Sequence, residues 1–244
     1  MLAVLGASLG SFFNVLIDRL PRKASIIKPP SSCSDCGYRI PVWLNIPIFS
    51  YIFIKGRCSK CGATIHWHHL VVEIITPLLF IALFYKYGLT SILFYKYLVL
   101  ISFLIPIFFI DALKQLILHV TSIPLIFVGL IFALLPGTDV PIANALATAA
   151  FIFCFLLLLA WSFGKIRKKD GLGGGDIWLL TGISTFFGYT GIPLILIFAC
   201  VFAIAYYIVF IRQKERPFVF GPFIVSATVI WIFLSEFILN KWLG

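Results

Sequence analysis

Charged residues are scarce in this sequence, and acidic residues are the scarcest of them. Asp, Glu, Lys and Arg make up 11% of the 244 residues, and only 9 residues are Asp or Glu, whereas a soluble domain carries about 25% charged residues. Hydrophobic residues account for 61% of the chain, and the mean hydropathy is +1.09. This composition excludes an ordinary soluble domain and predicts an all-α protein that crosses the lipid bilayer several times.

Several common catalytic and targeting motifs are also missing from the sequence. It contains no H-E-x-x-H and no P-loop, so zinc-protease and nucleotide-binding chemistries of these kinds are not expected. The glycine run at 171–175 does not complete a G-x-G-x-x-G pattern. The first apolar run, 1–17, has no basic start and no small-residue cleavage site, so we expect it to remain as a membrane span rather than a cleaved signal peptide.

Apolar runs dominate what is present. Runs of bilayer length, about 17–25 residues each, can be drawn at 1–17, 70–87, 92–112, 116–135, 140–163, 174–189, 191–211 and 218–240. The sixth and seventh are separated only by the segment 188–191, which contains two glycines. We therefore expect about eight transmembrane helices.

The basic residues indicate how these helices are oriented. Of the 19 Lys and Arg residues, 16 fall in alternate loops and 3 lie on the other side. The positive-inside rule then predicts both termini outside and the long loop in the cytoplasm. The same distribution accounts for the net charge of +10, so a nucleic-acid partner is not expected.

One loop, 18–69, is too long to be a simple connection and is rich in Pro, Ser, Lys and Cys. We expect three regions: a first transmembrane helix at 1–17, a small cytoplasmic domain at 18–69 and a seven-helix membrane core at 70–244.

The long loop contains two C-x-x-C pairs, formed by Cys33, Cys36, Cys58 and Cys61. Four thiolates at this spacing are typical of a tetrahedral structural zinc, which would supply folding free energy to a segment with little core of its own. Disulfides are the competing interpretation, but the cytoplasmic side favours reduced thiols. His66, His68 and His69 follow and could replace a thiolate, although four cysteines already complete the shell.

Two acids stand at the ends of apolar runs. Asp111 ends the third run, and Asp176 opens the sixth after a glycine-rich segment. Topology places both at the cytoplasmic edge, and an acid near the hydrocarbon boundary is a functional-site hypothesis by default. Two facing carboxylates can share a proton, as in aspartic proteases, where one activates water and the other protonates the scissile carbonyl. One alternative is that the two acids are unrelated and that Asp176 only caps its helix. Another is that Glu73, which opens the second run on the same side, is a third member of the acid group.

Together these residues resemble the bacterial type IV prepilin peptidases, which are GxGD-type membrane aspartic proteases. The resemblance covers nearly the whole chain and rests on 10–15 and 19–21, the paired cysteines with 45–47 and Gly56 between them, Glu73, Asp111 and the Gly-Gly-Gly-Asp segment 173–176. One position departs from the family. Where the family commonly has Leu-Pro-Asp after the first aspartate, this chain has Ile117, Leu118 and His119.

The resemblance implies a bifunctional enzyme of the bacterial inner membrane. Asp111 and Asp176 would be the catalytic pair, and the four cysteines would bind zinc. The enzyme would cut the basic leader from prepilins or pseudopilins at the cytoplasmic side, then methylate the new N-terminus with S-adenosylmethionine. A peptidase without methyltransferase activity is the first alternative. A proton-coupled transporter and a zinc-stapled membrane adaptor without catalysis are the others.

Overall fold

A computed structural model describes residues 1–33, 35–167, 173–211 and 219–242. The chain divides into two compact units, Met1–Gly88 and Leu89–Gly244. Within the described ranges, helices form the regular structure, apart from two isolated β-bridges in the first unit. The predicted all-α class is therefore confirmed, whereas the borders predicted at residues 17 and 69 stay predictions.

Eight α-helices are present in the described residues. The first unit contains α1 (Leu2–Arg19), α2 (Phe49–Phe53) and α3 (His68–Tyr87), and the second contains α4 (Ile92–Lys114), α5 (His119–Leu134), α6 (Ile142–Arg167), α7 (Gly174–Tyr206) and α8 (Gly221–Trp242). By length and composition, 5 helical stretches in the described residues can cross a membrane, and α5 and α8 contribute shorter apolar helices. Multiple membrane spans are therefore confirmed.

The sixth and seventh predicted spans form a single helix with a break, α7. Gly188 has φ 59° and ψ −163°, which lie outside the helical region and suit glycine. On α6, the Asn144 side chain accepts a hydrogen bond from the Tyr189 N–H at 3.2 Å, which satisfies a backbone donor at the break. The turn predicted at 188–191 is therefore present as a helix break. Within the described ranges, five long helices and the two shorter ones, α5 and α8, cover the eight predicted runs, because α7 contains two of them.

The first unit is built on a close antiparallel pair, α1 and α3. Gly6 faces Pro77 and Gly10 faces Glu73, and a Cβ on either glycine would lie 2.5 Å and 2.9 Å from the opposing Cα atoms. Small residues four apart let two helix backbones approach this closely. The spacing thus fixes the register of the pair.

The second unit is organised around α7. This helix packs against α5, α6 and α8, and α4 packs against α8. Its first half is almost entirely buried, with Leu179, Ile183 and Phe186 no more than 1% exposed. The packing holds the start of α7 and the end of α4, which carry the two predicted acids, within one unit.

Candidate active site and metal centre

Asp111 lies in the last turn of α4 and is only 4% exposed. The helix ends just beyond it because Gln115 adopts a left-handed conformation and donates its N–H to the Asp111 carbonyl at 2.8 Å. The backbone N–H of Gly221 donates a hydrogen bond to the Asp111 carboxylate. A Cβ at position 221 would collide with that carboxylate, so the contact depends on glycine.

Asp176 lies in the first turn of α7, and Gly173 is the residue that caps this helix. The Asp176 N–H donates to the Gly173 carbonyl at 3.0 Å. Its Oδ1 atom is buried and has no hydrogen-bond partner among the described residues. A buried carboxylate oxygen without a partner is unfavourable unless it serves a ligand or a reaction.

The structure brings the two acids into one site. The carboxylates lie close enough for the charge of Asp111 to repel that of Asp176. Ile117 packs against two glycines beside the acids: a Cβ on Gly175 would lie 2.6 Å from its Cβ, and a Cβ on Gly221 would lie 2.9 Å from its Cδ1. Two carboxyl groups in one site can act together when one accepts a proton and the other donates one.

Gly221 is the site residue that sequence reasoning missed. The pair Gly221-Pro222 marks the start of α8, because proline is favoured in the first turn of a helix. That signal locates a helix start, but it does not reveal which side chain the glycine backbone meets. The departure from the family pattern, His119, opens α5, and its ring lies 6.1 Å from that of Trp178 between centroids.

Glu73 makes its contacts within the first unit. Its carboxylate accepts the Ile48 N–H at 2.7 Å and hydrogen bonds from the Ser11 and Asn14 side chains. Ile48 has φ 66°, an uncommon conformation for a β-branched residue. These contacts give Glu73 a role in holding the loop against α1 and α3.

The four predicted metal ligands converge. The sulfurs of Cys33, Cys36, Cys58 and Cys61 all lie within 4.8 Å of one another. The Sγ atoms of Cys33 and Cys61 are 3.8 Å apart, and those of Cys36 and Cys58 are 4.0 Å apart. A tetrahedral zinc with bonds of about 2.3 Å separates its sulfurs by roughly 3.8 Å, so the cluster fits zinc. All six cysteines, each of them among the described residues, are free thiols.

The two cysteine pairs share one backbone arrangement. Gly37 donates to the Cys33 carbonyl at 3.0 Å, and Gly62 donates to the Cys58 carbonyl at 2.9 Å. The backbone N–H groups of Cys61 and Lys60 point at the Cys58 sulfur and lower the pKa of the Cys58 thiol to about 6. Backbone donors aimed at a sulfur stabilise the thiolate, which is the form of cysteine that binds a metal.

Two family models match the chain in succession. The Bacterial Peptidase A24 N-terminal domain matches residues 4–87, and the Type IV leader peptidase family matches residues 98–208. The first match contains the cysteine cluster and the second contains both acids.

Three relatives are similar to this chain over most of their own length. A "Prepilin leader peptidase/N-methyltransferase" of Neisseria gonorrhoeae is 32% identical over 94% of this chain and 88% of its own length. Proteins of the same name from Pectobacterium carotovorum subsp. carotovorum and Dickeya chrysanthemi are 30% and 27% identical, over 97% and 99% of this chain and 93% of each relative. No solved structure matches the chain. On the family models and these relatives, the chain belongs to the type IV leader peptidase family.

Proposed function

We propose that this protein is a membrane aspartic endopeptidase that removes the basic leader of prepilins or pseudopilins and then methylates the new N-terminal amine. The observation that carries the proposal is the meeting of Asp111 and Asp176, an acid pair placed at the ends of two apolar helices. Family membership and the names of the relatives support both activities.

The proposed cleavage needs only the two carboxylates and a water molecule. One carboxylate accepts a proton from the water as it attacks the scissile carbonyl, and the other donates a proton to the carbonyl oxygen. The carbon–nitrogen bond of the resulting tetrahedral intermediate then breaks. The acid that took the proton from water gives it to the leaving amine, and the other acid recovers its proton from the hydroxyl group. The Gly221 N–H, which donates to Asp111, would hold that carboxylate in a fixed orientation. The lack of a Cβ on Gly175 and Gly221 leaves room for the Ile117 side chain and, at Gly221, for the Asp111 carboxylate.

We propose the cytoplasmic edge of the inner membrane as the place of cleavage. The bias of 16 basic residues to 3 supports termini outside and the long loop inside. A basic leader is held in the cytoplasm by the same rule, so its junction with an apolar helix would reach this edge. A reporter fused to either terminus is expected outside, and one in the long loop inside. A cytoplasmic C-terminus would contradict this topology.

We propose that Cys33, Cys36, Cys58 and Cys61 hold one structural zinc. The ion would supply folding free energy to the long loop. Metal analysis of the purified protein is expected to give one tightly bound zinc, and Cys58→Ser is expected to lose it. Thiol counting that finds these four cysteines paired as disulfides would overturn the proposal.

The methyl donor is proposed to be S-adenosylmethionine, which rests on the family alone. Purified enzyme is incubated with a prepilin and methyl-labelled donor, and the mature N-terminus is then sequenced. We expect a shortened substrate that carries label on its N-terminal amine. A shortened substrate without label would leave a peptidase only, and an intact leader would overturn the proposed function.

A further inference from the structure

A second set of metal-ligating side chains lies in the first unit, apart from the cysteine cluster. Asp18 is in the last turn of α1, and His68 and His69 open α3. One imidazole nitrogen from each histidine and one carboxylate oxygen all lie within 4.8 Å of one another. The three side chains come from two helices 50 residues apart, so their convergence is a result of the fold.

The contact between α1 and α3 fixes this convergence. Gly10, Asn14 and Asp18 recur every four residues and therefore share one face of α1. Gly10 meets Glu73, and the Asn14 side chain donates to the His69 carbonyl at 2.9 Å. One turn further along, the same face brings Asp18 to the two imidazoles. The ligands are thus held by helices rather than by a mobile loop.

The distances leave a gap of the right size for an ion. The Nε2 atom of His68 is 4.0 Å from Oδ1 of Asp18, and Nε2 of His69 is 3.6 Å from Oδ2. Both exceed the range of about 2.7–3.2 Å for a hydrogen bond. Ligands around a tetrahedral ion with bonds of about 2.1 Å lie roughly 3.4 Å apart. The Asp18 side chain is 48% exposed, so it has room for the small movement that would close the site.

We propose that Asp18, His68 and His69 form a second divalent-metal site in this protein. Two imidazoles and one carboxylate suit Zn²⁺, Co²⁺ or Fe²⁺ rather than the softer ions that prefer thiolates. Three protein ligands leave a coordination position for water, unlike the closed cysteine site. The proposal goes beyond leader cleavage and the cysteine zinc, and it stands whether or not either is correct.

Cobalt titration of the full-length protein in detergent tests the proposal. The cysteine site is first filled with one equivalent of Zn²⁺, and Co²⁺ is then added. We expect one further equivalent of Co²⁺ to bind with the weak absorption of nitrogen and oxygen ligands and without a thiolate charge-transfer band. Binding of no second equivalent by the unaltered protein would overturn the proposal, and this outcome needs no variant.

Variants identify the ligands. Asp18→Asn and His69→Gln are each expected to lose the second equivalent while keeping the tightly bound zinc, which reports that the unit is folded. His66→Gln is the matched control, because the His66 ring lies 5.5 Å from that of His68 but contributes no atom to the cluster. It should bind two equivalents. Equal cobalt binding by all three variants would show that these side chains are not the ligands.

Discussion

An acidic side chain lies at each end of α4, and the two acids have opposite electrostatic surroundings. Near its start, Lys96 is 2% exposed and forms an ion pair with Asp139, and the Tyr97 hydroxyl donates to the same carboxylate at 2.9 Å. Near its end, Asp111 shares a site with another acid, Asp176, beside Ile117. Within the described residues, neither Asp111 nor Asp176 forms an ion pair.

The difference separates a structural acid from a functional one. The charge of Asp139 is balanced by a buried lysine, so removal of either partner would leave the other uncompensated. The charges of Asp111 and Asp176 add instead of cancelling, which lowers the stability of the folded protein unless the pair holds a proton. An arrangement that is unfavourable for folding is expected where chemistry needs it.

The largest effect is expected at the acid pair. Asp111→Asn and Asp176→Asn should each reduce leader cleavage by about 10²–10⁴-fold, because asparagine keeps the shape of the side chain but cannot exchange the proton. The measurement is the initial rate of prepilin cleavage by purified enzyme. Glu236→Gln, which alters an exposed acid in α8, should cleave at the normal rate. Normal cleavage by either Asn variant would remove that residue from the mechanism.

A smaller loss of activity is expected at Gly221. Gly221→Ala places a methyl group against the Asp111 carboxylate, and displacement of a catalytic group by about 1 Å reduces the rate on the order of 10²-fold. Gly164→Ala is the matched control, since a Cβ there meets nothing within 4 Å. Cleavage rates and thermal unfolding are measured for both variants. If Gly221→Ala is folded and fully active, the glycine contact does not orient Asp111.

The other end of α4 is expected to affect stability rather than chemistry. Asp139→Asn leaves Lys96 buried without its counter-ion and should lower the free energy of unfolding by about 3 kcal/mol, the low end for a buried pair because Asp139 is 40% exposed. Thermal unfolding in detergent checks this, with cleavage assayed well below the transition. The double variant Lys96→Met, Asp139→Asn should regain most of the stability. A stable but inactive Asp139→Asn protein would contradict the purely structural role assigned to Asp139.

The sequence predicts the helices and the acid pair because both depend on one-dimensional signals. Apolar length locates the spans, and the alternation of Lys and Arg places Asp111 and Asp176 on the same side. Sequence reasoning misses Gly221 because its importance lies in a contact with a residue 110 positions earlier, which no local pattern encodes. It misses Asn144 at the break in α7 for the same reason.

The contacts of His68 and His69 are also not predictable from sequence spacing alone. Their position in the sequence, just after the cysteines, suggests that His68 and His69 could replace a thiolate ligand of the zinc. Their approach to Asp18 depends on the register between α1 and α3. Spacing along the chain can suggest which residues bind metals, but only the packing of two helices decides which of them meet.

Coupling between the two acids tests the central claim most directly. Cleavage rates are measured for the unaltered enzyme, Asp111→Asn, Asp176→Asn and the double variant in reconstituted membranes. Residues that act as one catalytic unit are not additive, so the double variant should be no more than slightly slower than either single one. If the two losses instead multiply, the acids act independently, and the account of a shared-proton pair is contradicted.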